Sequence, residues 1–231
     1  MRKHLLHLTW LFTLMVLFTA LTAFGSEKKG VVTEDGQTRI YSNQGKLIKN
    51  KPAYEVKKGG KTQYYQIDKK GVAKRYKGVE ALAAKQLCKL KAGGKKSEKN
   101  LKKAFKWASS LKYQNNTKSS LKGNAAAKYY GRFGFEKGRG DCNTVAYTFY
   151  WMAKVLGYKV ETIQGYVPDG SIDNLQSHAW TTIKSGSTDY VYDPDFNRVY
   201  AGRLGTYCGF KIRYGQKNTY RYFSAKKQEI K

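Results

Sequence analysis

A glycine-rich turn followed by a cysteine and an apolar helical pattern constrains this chain more than any other segment. The turn covers residues 138–140, and Cys142 follows directly after Asp141. Apolar residues then recur at spacings of four, three and four, which places them on one helix face: Val145, Phe149, Met152 and Leu156. Asp141 is a favourable N-cap and Gly157 a favourable stop, so the pattern predicts a helix with Cys142 in its first turn. The macrodipole and the N–H groups of a first turn favour the thiolate, which is the nucleophilic form of cysteine.

The first stretch of the chain has the pattern of a signal peptide. Positive residues 2–4 precede an apolar run over residues 5–22, and small residues at Ala23 and Gly25 fit a cleavage site. We therefore interpret residues 1–25 as a signal peptide, which predicts a secreted or cell-surface bacterial protein. An uncleaved membrane anchor is the alternative, because the apolar run is long enough to span a bilayer.

The chain is strongly basic, with 44 Lys+Arg against 16 Asp+Glu and a formal net charge of +28. A charge of this size attracts polyanions. For an exported protein we predict anionic cell-wall polymers as a partner, and a solvated lysine surface without a dedicated partner is the alternative. Nucleic-acid binding has only the charge in its favour, since no recognised nucleic-acid motif accompanies it.

Residues 27–77 contain a weak internal repeat. The stretch from Asp35 to Tyr41 is echoed by the stretch from Gly59 to Tyr65, 24 residues later. Glycine-containing turns flanked by alternating Thr, Ile and Tyr predict short β-hairpins. The repeats resemble the cell-wall-binding repeats of Gram-positive surface proteins, although this stretch has no Trp. We interpret them as a wall-binding module or, alternatively, as a structural β-hairpin appendage.

The residue pattern changes from hairpin-like alternation to helical spacing at Val79. The pattern of residues 79–224 predicts a single α+β domain. The predicted elements, in chain order, are helix 79–90, helix 98–111 capped by Ser97, helix 142–156, strand 159–167, a turn-rich loop 168–177, a hairpin 178–193, and one or two strands within 207–223. The charged tail 225–231 is predicted to be frayed.

His178 is the histidine that the sequence offers to Cys142. The other two, His4 and His7, fall within the predicted signal peptide. A histidine-based zinc cluster is therefore not expected, and Cys/His finger spacings are absent. We predict no metal and no cofactor.

A β-hairpin predicts a carboxylate partner for His178. The turn signal at residues 185–187 separates two alternating runs. If the turn is centred between Ser185 and Gly186, paired residue numbers sum to 371, and Asp193 faces His178 across the strands. Asp195 has the same parity but is displaced by one pair, so it is the weaker candidate.

Cys142, His178 and Asp193 together form a nucleophile, a base and an orienting carboxylate. The backbone N–H of Cys142 is one candidate donor to the oxyanion of an acyl intermediate. A second donor is needed, and Gln114 and Trp180 are the two candidates that the sequence provides.

The order of these motifs resembles the transglutaminase-like superfamily. The resemblance rests on Gly140-Asp141-Cys142 opening a helix, on Gln164-Gly165-Tyr166, on His178-Ala179-Trp180 and on Tyr192-Asp193-Pro194, within residues 97–200. It implies a papain-like α+β core, in which a helix carrying the cysteine packs on an antiparallel sheet. It also implies a triad of Cys142 as nucleophile, His178 as base and Asp193 as orienter. Calcium-dependent relatives carry extra acidic sites, and the few acids here give no support for calcium.

The predicted function is acyl transfer or hydrolysis on amide bonds of peptides or proteins, through a thioester on Cys142. The alternative is a wall-binding or anionic-polymer-binding protein in which the domain is a non-catalytic scaffold. The mature chain keeps three cysteines, and if two of them pair, Cys88 and Cys208 are the expected pair, because Cys142 has the environment of a nucleophile.

Overall fold

The computed structural model of the chain describes residues 28–230. The predicted signal peptide, residues 1–25, lies outside the described residues. The chain divides into two compact units between Ile48 and Lys49. None of the helices within residues 28–230 is long and apolar enough to cross a bilayer.

The smaller unit contains the first predicted hairpin. Strand β1 (Gly30–Glu34) pairs antiparallel with β2 (Gln37–Tyr41). Asp35 and Gly36 form the two-residue turn with φ values of 50° and 71°, the left-handed conformation that such a turn needs.

The second copy of the repeat belongs to the larger unit. Strands β3 (Lys51–Lys58), β4 (Lys61–Ile67) and β5 (Ala73–Arg75) form an antiparallel sheet in that order. Ala53 of β3 is buried, and its N–H donates to the carbonyl of Gly93 at 3.0 Å. The sequence placed a boundary between residues 77 and 79, but apolar contact of this sheet with the helical core moves the division back to residue 48.

The described residues contain five helices: α1 (Gly78–Lys89), α2 (Glu98–Ser109), α3 (Gly123–Lys137), α4 (Cys142–Val155) and α5 (Pro194–Leu204). Ser97 caps α2 as predicted, because its hydroxyl accepts from the N–H of Asn100 at 3.3 Å. Helix α4 is the centre of the core, and most of its side chains are buried, including Phe149 and Met152. Replacing a buried ring such as Phe149 with Ala typically costs about 3–5 kcal/mol.

A three-stranded antiparallel sheet lies beside α4, in the order β10 (Thr188–Tyr192), β9 (Ser171–Ser185), β8 (Val160–Asp169). The mixed α+β class is therefore confirmed. The predicted loop 168–177 is wrong, since β8 and β9 continue through it as a hairpin around Gly170. Pro168 sits near the end of this hairpin beside a register shift, where a missing N–H donor is tolerated.

The segment 207–223 does not form the predicted strands. It consists of turns that make single bridges to the two outer strands, Ile212 to Val191 of β10 and Phe223 to Tyr166 of β8. Its aromatic alternation arises because alternate side chains pack under the sheet, with Ile212 and Tyr222 in its core.

The tail also differs from the frayed end that we predict. The N–H of Ile230 donates to the carbonyl of Tyr222 at 2.8 Å, and Arg221 pairs with Glu229 at 2.6 Å. Ile230 packs against the apolar cluster under the sheet, and this burial holds the tail against the domain.

Candidate active site

A network around Asp141 fixes the start of α4 and with it the position of Cys142. Asp141 is the N-cap, and its Oδ1 accepts from the N–H of Thr144 at 3.0 Å. Its Oδ2 accepts from the hydroxyl of Thr117 at 2.6 Å, and its own N–H donates to Asn116 Oδ1 at 3.0 Å. The cap therefore ties the helix start to the loop before α3, a connection that the sequence did not indicate.

Arg198 joins the segment before Cys142 to helix α5. Its Nη1 donates to the carbonyls of Leu111 and Gly140, at 3.3 and 3.1 Å, and its Nη2 pairs with Asp195. The planar guanidinium can hold these partners at once because its donors point in fixed directions. Sequence reasoning missed Arg198, because its carbonyl partners lie 58 and 87 residues away.

His178 and Asp193 lie together, although not by the register that the sequence suggested. The observed pairs of β9 and β10, from Ser185 with Thr188 to Thr181 with Tyr192, sum to 373 rather than 371. The predicted register is wrong by two, because the hairpin turn is Gly186-Ser187. The parity is kept, however, and β10 ends at Tyr192, so Asp193 at the start of α5 still places its Oδ2 2.8 Å from His178 Nε2.

The Asp193 carboxylate is fully buried, and both of its oxygens are hydrogen-bonded. Oδ1 accepts from the N–H groups of Asp195 and Phe196 at 3.1 and 2.9 Å, which makes Asp193 the N-cap of α5. Oδ2 accepts from the Tyr222 hydroxyl at 3.0 Å and lies against His178 Nε2. Charge-assisted hydrogen bonds of this kind hold the carboxylate in one orientation.

The environment of His178 favours its charged form. Burial opposes the charge, but the adjacent Asp193 carboxylate and its hydrogen bond, together with Cys142, raise the pKa of His178 well above its ordinary value. The ring is also held between neighbours, since Trp180 stacks on it and Tyr220 contacts it edge-on with centroids 5.4 Å apart. The imidazole therefore has a fixed orientation and a stabilised positive charge.

Cys142 lies near the ring nitrogen of His178 that does not contact Asp193. The Cys142 sulfur, a ring nitrogen of His178 and a carboxylate oxygen of Asp195 all lie within 4.8 Å of one another. Since His178 Nε2 is engaged by Asp193, Nδ1 is the nitrogen left for Cys142. Asp195, the weaker candidate from the sequence, places its Oδ2 3.9 Å from the same Nδ1. Burial raises the pKa of Asp195, and the Arg198 charge opposes that rise.

The two candidates for a second oxyanion donor differ in the structure. Trp180 is fully buried and its indole N–H donates to the Tyr214 hydroxyl at 2.9 Å, so this donor is already used. Gln114 lies next to the site, because its backbone N–H donates to the Gly140 carbonyl at 3.2 Å. Its side-chain Oε1 is buried without a hydrogen-bond partner among the described residues.

The larger of two cavities does not lie at the predicted catalytic residues. A cavity of about 630 Å³ is lined by residues of all three strands of the β10–β9–β8 sheet, such as Glu161 and Asp189, and by none of the predicted triad. A smaller cavity of about 190 Å³ is lined by Tyr220, which contacts His178, and by Phe196, which follows Asp195. This smaller cavity is thus lined by neighbours of His178 and Asp195 but by none of the three predicted triad residues.

The other two cysteines do not pair. Cys88, Cys142 and Cys208 are all free thiols, so the expected Cys88–Cys208 pair is absent. Burial, with a smaller contribution from Glu55, raises the pKa of Cys88 to about 11. Burial also raises the pKa of the Cys208 thiol. Both thiols are therefore held in the protonated, weakly nucleophilic form.

The segment from α1 to the start of α5 matches a known protein family. Residues 80–194 match the Transglutaminase-like superfamily. The resemblance that we predict from the motifs is confirmed by this match. The matched range contains Cys142, His178 and Asp193, and it ends one residue after Asp193.

The other comparisons are more distant. A solved chain named "Putative Cysteine Protease from Cytophaga hutchinsonii" is similar over 51% of this chain and 36% of that chain, with 14% sequence identity and a TM-score of 0.37. This chain thus covers about a third of the length of that structure, and a likeness at this level carries no further argument. No curated protein matches the sequence.

Proposed function

We propose that this chain is an exported cysteine enzyme of the transglutaminase-like superfamily that transfers or hydrolyses acyl groups from peptide or protein amides. One observation carries the proposal: the Cys142 thiol lies beside a histidine whose far nitrogen is 2.8 Å from a fully buried, hydrogen-bonded aspartate. Export rests on the pattern of residues 1–25.

In the first half-reaction, the Cys142 sulfur attacks the carbonyl carbon of an amide. The carbon–sulfur bond forms as the carbon–nitrogen bond breaks, and His178 delivers its Nδ1 proton to the leaving nitrogen. Asp193 keeps the ring oriented and stabilises its charge before the transfer. The amine departs and an acyl thioester remains on Cys142.

In the second half-reaction, neutral His178 takes a proton from water or from a primary amine as that molecule attacks the thioester. The thiol leaves, and the product is an acid or a new amide. The backbone N–H of Cys142 supports the oxyanion in both steps, because first-turn N–H groups have no intrahelical acceptor. We assign the second donor to Gln114, whose backbone is hydrogen-bonded to Gly140 at 3.2 Å.

The test is incubation of a glutamine-containing peptide with the protein, with and without a labelled primary amine. Amine incorporation, ammonia release and peptide cleavage report transfer, side-chain hydrolysis and proteolysis. Each is expected to disappear in Cys142→Ala and to persist in Cys208→Ala, which removes another partly buried free thiol. Absence of all three products from wild type across a peptide library, or equal rates in the Cys142→Ala variant, would overturn the proposal.

A further inference from the structure

Asp195 has no part in the proposed triad, yet it lies in the same cleft. One of its oxygens, Oδ1, pairs with Arg198. The other, Oδ2, lies 3.9 Å from His178 Nδ1, and the sulfur of Cys142 lies within 4.8 Å of both. Cys142 is partly exposed, so the cluster is reachable from solvent on that side. Three different donor atoms, one of them the sulfur of Cys142, thus lie within 4.8 Å of one another.

A thiolate, an imidazole nitrogen and a carboxylate oxygen are the donors that Zn²⁺ takes in proteins. Tetrahedral zinc with bonds of about 2.0–2.3 Å sets its ligands roughly 3.5 Å apart. The Nδ1–Oδ2 distance of 3.9 Å is already close to this spacing. The Cys142 sulfur lies within 4.8 Å of the other two donor groups, so the side chains would have to move closer for all three to bind one ion.

The surroundings of His178 fit a metal ligand. A zinc-bound histidine usually donates its other ring N–H to a carboxylate, which fixes the tautomer and directs the lone pair at the metal. Here Nε2 faces Asp193 at 2.8 Å, and Asp193 is itself held by the Tyr222 hydroxyl. Nδ1 faces Cys142 and Asp195, and its lone pair becomes available to a metal when Nδ1 loses its proton.

The local charge also suits a divalent cation. With Cys142 as thiolate and His178 neutral, as metal binding requires, the two aspartates and the thiolate carry three negative charges, and Arg198 supplies one positive charge. The remaining two negative charges match Zn²⁺. The basic residues of the chain oppose a cation at long range, but exposed charges are screened beyond about 8 Å at physiological salt.

We infer that the cleft is a reversible Zn²⁺-binding site with Cys142, His178 and Asp195 as its protein ligands. Binding replaces the proton shared by Cys142 and His178, and that proton passes to solvent. Because the nucleophile and the base are both ligands, the zinc-bound form is inactive. The inference concerns the same cleft as the proposed function, but zinc binding does not require that the cleft be catalytic.

The test measures Zn²⁺ binding to the full chain by competition with a chromophoric chelator. Wild type is expected to bind one Zn²⁺ and to protect Cys142 from iodoacetamide. Cys142→Ala is expected to lose the site, and Asp195→Asn to bind at least tenfold more weakly, since even outer-shell partners of metal ligands change affinity by about 10–100-fold. Cys208→Ala and the exposed Asp189→Asn are the matched controls and are expected to bind as wild type does.

Co²⁺ supplies a second measurement, because a thiolate–cobalt charge-transfer band reports the sulfur ligand directly. The band is expected in wild type and in Asp195→Glu, which keeps a carboxylate, and to be absent from Cys142→Ala. Equal zinc affinity in wild type and Cys142→Ala, or unchanged affinity in folded Asp195→Asn, would overturn the inference. A metal-free wild type without any acyl-transfer activity would count against the proposed function alone.

Discussion

Asp193 reaches His178 from outside the β-ladder. Strand β10 ends at Tyr192, and Asp193 begins helix α5, yet its Oδ2 lies 2.8 Å from His178 Nε2. One carboxylate therefore caps a helix with Oδ1 and orients a histidine with Oδ2. The carboxylate is therefore held by the start of α5 rather than by strand pairing.

Asp193→Asn tests the charge of this carboxylate without removing the cap. Asn caps helices as well as Asp does, so α5 is expected to form. The imidazolium loses its neighbouring charge, and we expect activity to fall about 10²–10⁴-fold. Since Asp193 raises the pKa of His178, the alkaline limb of the pH–rate profile is expected to move to lower pH. The measurement is kcat/KM against pH, with Asp189→Asn as the control; an unshifted limb would contradict the role of Asp193.

Tyr222→Phe removes the hydroxyl that donates to Asp193 at 3.0 Å. Hydrogen bonds to charged groups contribute about 1.5–3 kcal/mol, and a loss of that size is expected in the free energy of unfolding. The less-solvated carboxylate should interact more strongly with the imidazolium, so the alkaline limb is expected to move to higher pH. Urea unfolding checks the first result. Tyr207→Phe, at an exposed ring, is the control and should change neither quantity.

Gly209→Ala tests the backbone that supports Asp193. The N–H of Asp193 donates to the Gly209 carbonyl at 2.8 Å, and a Cβ on Gly209 would lie 2.2 Å from the Asp193 carbonyl oxygen. The backbone must shift, so we expect a loss of about 1–3 kcal/mol together with reduced activity. Gly202→Ala, in α5 with nothing within 4 Å of its Cβ, is expected to be stabilising by about 0.5–1 kcal/mol. Thermal unfolding of the two variants should show opposite signs.

Arg198→Lys keeps the positive charge but loses the planar fork. A lysine ammonium cannot reach the carbonyls of Leu111 and Gly140 and the carboxylate of Asp195 in one geometry. We expect a loss of about 1–3 kcal/mol for the unsatisfied groups and a lower kcat, because the segment before Cys142 is less fixed. Arg203→Lys, on the same helix and exposed, is the control. Equal kcat values for the two variants would show that Arg198 does not position Cys142.

The free energy of unfolding should depend on pH through His178. Its folded pKa lies above the ordinary value of 6.5, so folding binds a proton between the two values. The contribution of the charged pair is fully present below about pH 6.5 and is lost as the pH rises through the folded pKa. Urea unfolding from pH 6 upward should show wild type losing stability relative to His178→Gln. A constant difference between the two proteins would contradict the raised pKa.

Much of the local structure could be predicted from the sequence. Asp141 and Ser97 are N-caps as predicted, because a cap depends on one side chain and the next three residues. The turn glycines Gly36 and Gly60 likewise set their hairpins through positive φ values. The alternation of residues 207–223 was misleading, since it reflects packing under a sheet rather than strand pairing.

The sequence by itself identified the three candidate site residues. Cys142 follows a cap at the start of a helix, His178 is the one histidine beyond the predicted signal peptide, and Asp193 has the correct parity on a hairpin. These are matters of short-range backbone geometry and residue counts. A register error of two preserves parity, so both Asp193 and Asp195 stay on the face of His178. The preference for Asp193 over Asp195 did depend on the exact turn, because a pair sum of 373 would set residue 195 opposite His178 if the pairing continued.

Only the tertiary structure decided what surrounds these three residues. Tyr222 reaches Asp193 from 29 positions away, and Arg198 reaches the Gly140 carbonyl from 58 positions away. Asp195 enters the cleft because α5 turns back from the end of β10. Such contacts depend on how separate elements pack together, and packing is set by the whole core rather than by any local pattern. The orientation of the histidine and the proximity of Cys142, His178 and Asp195 are therefore properties of the fold.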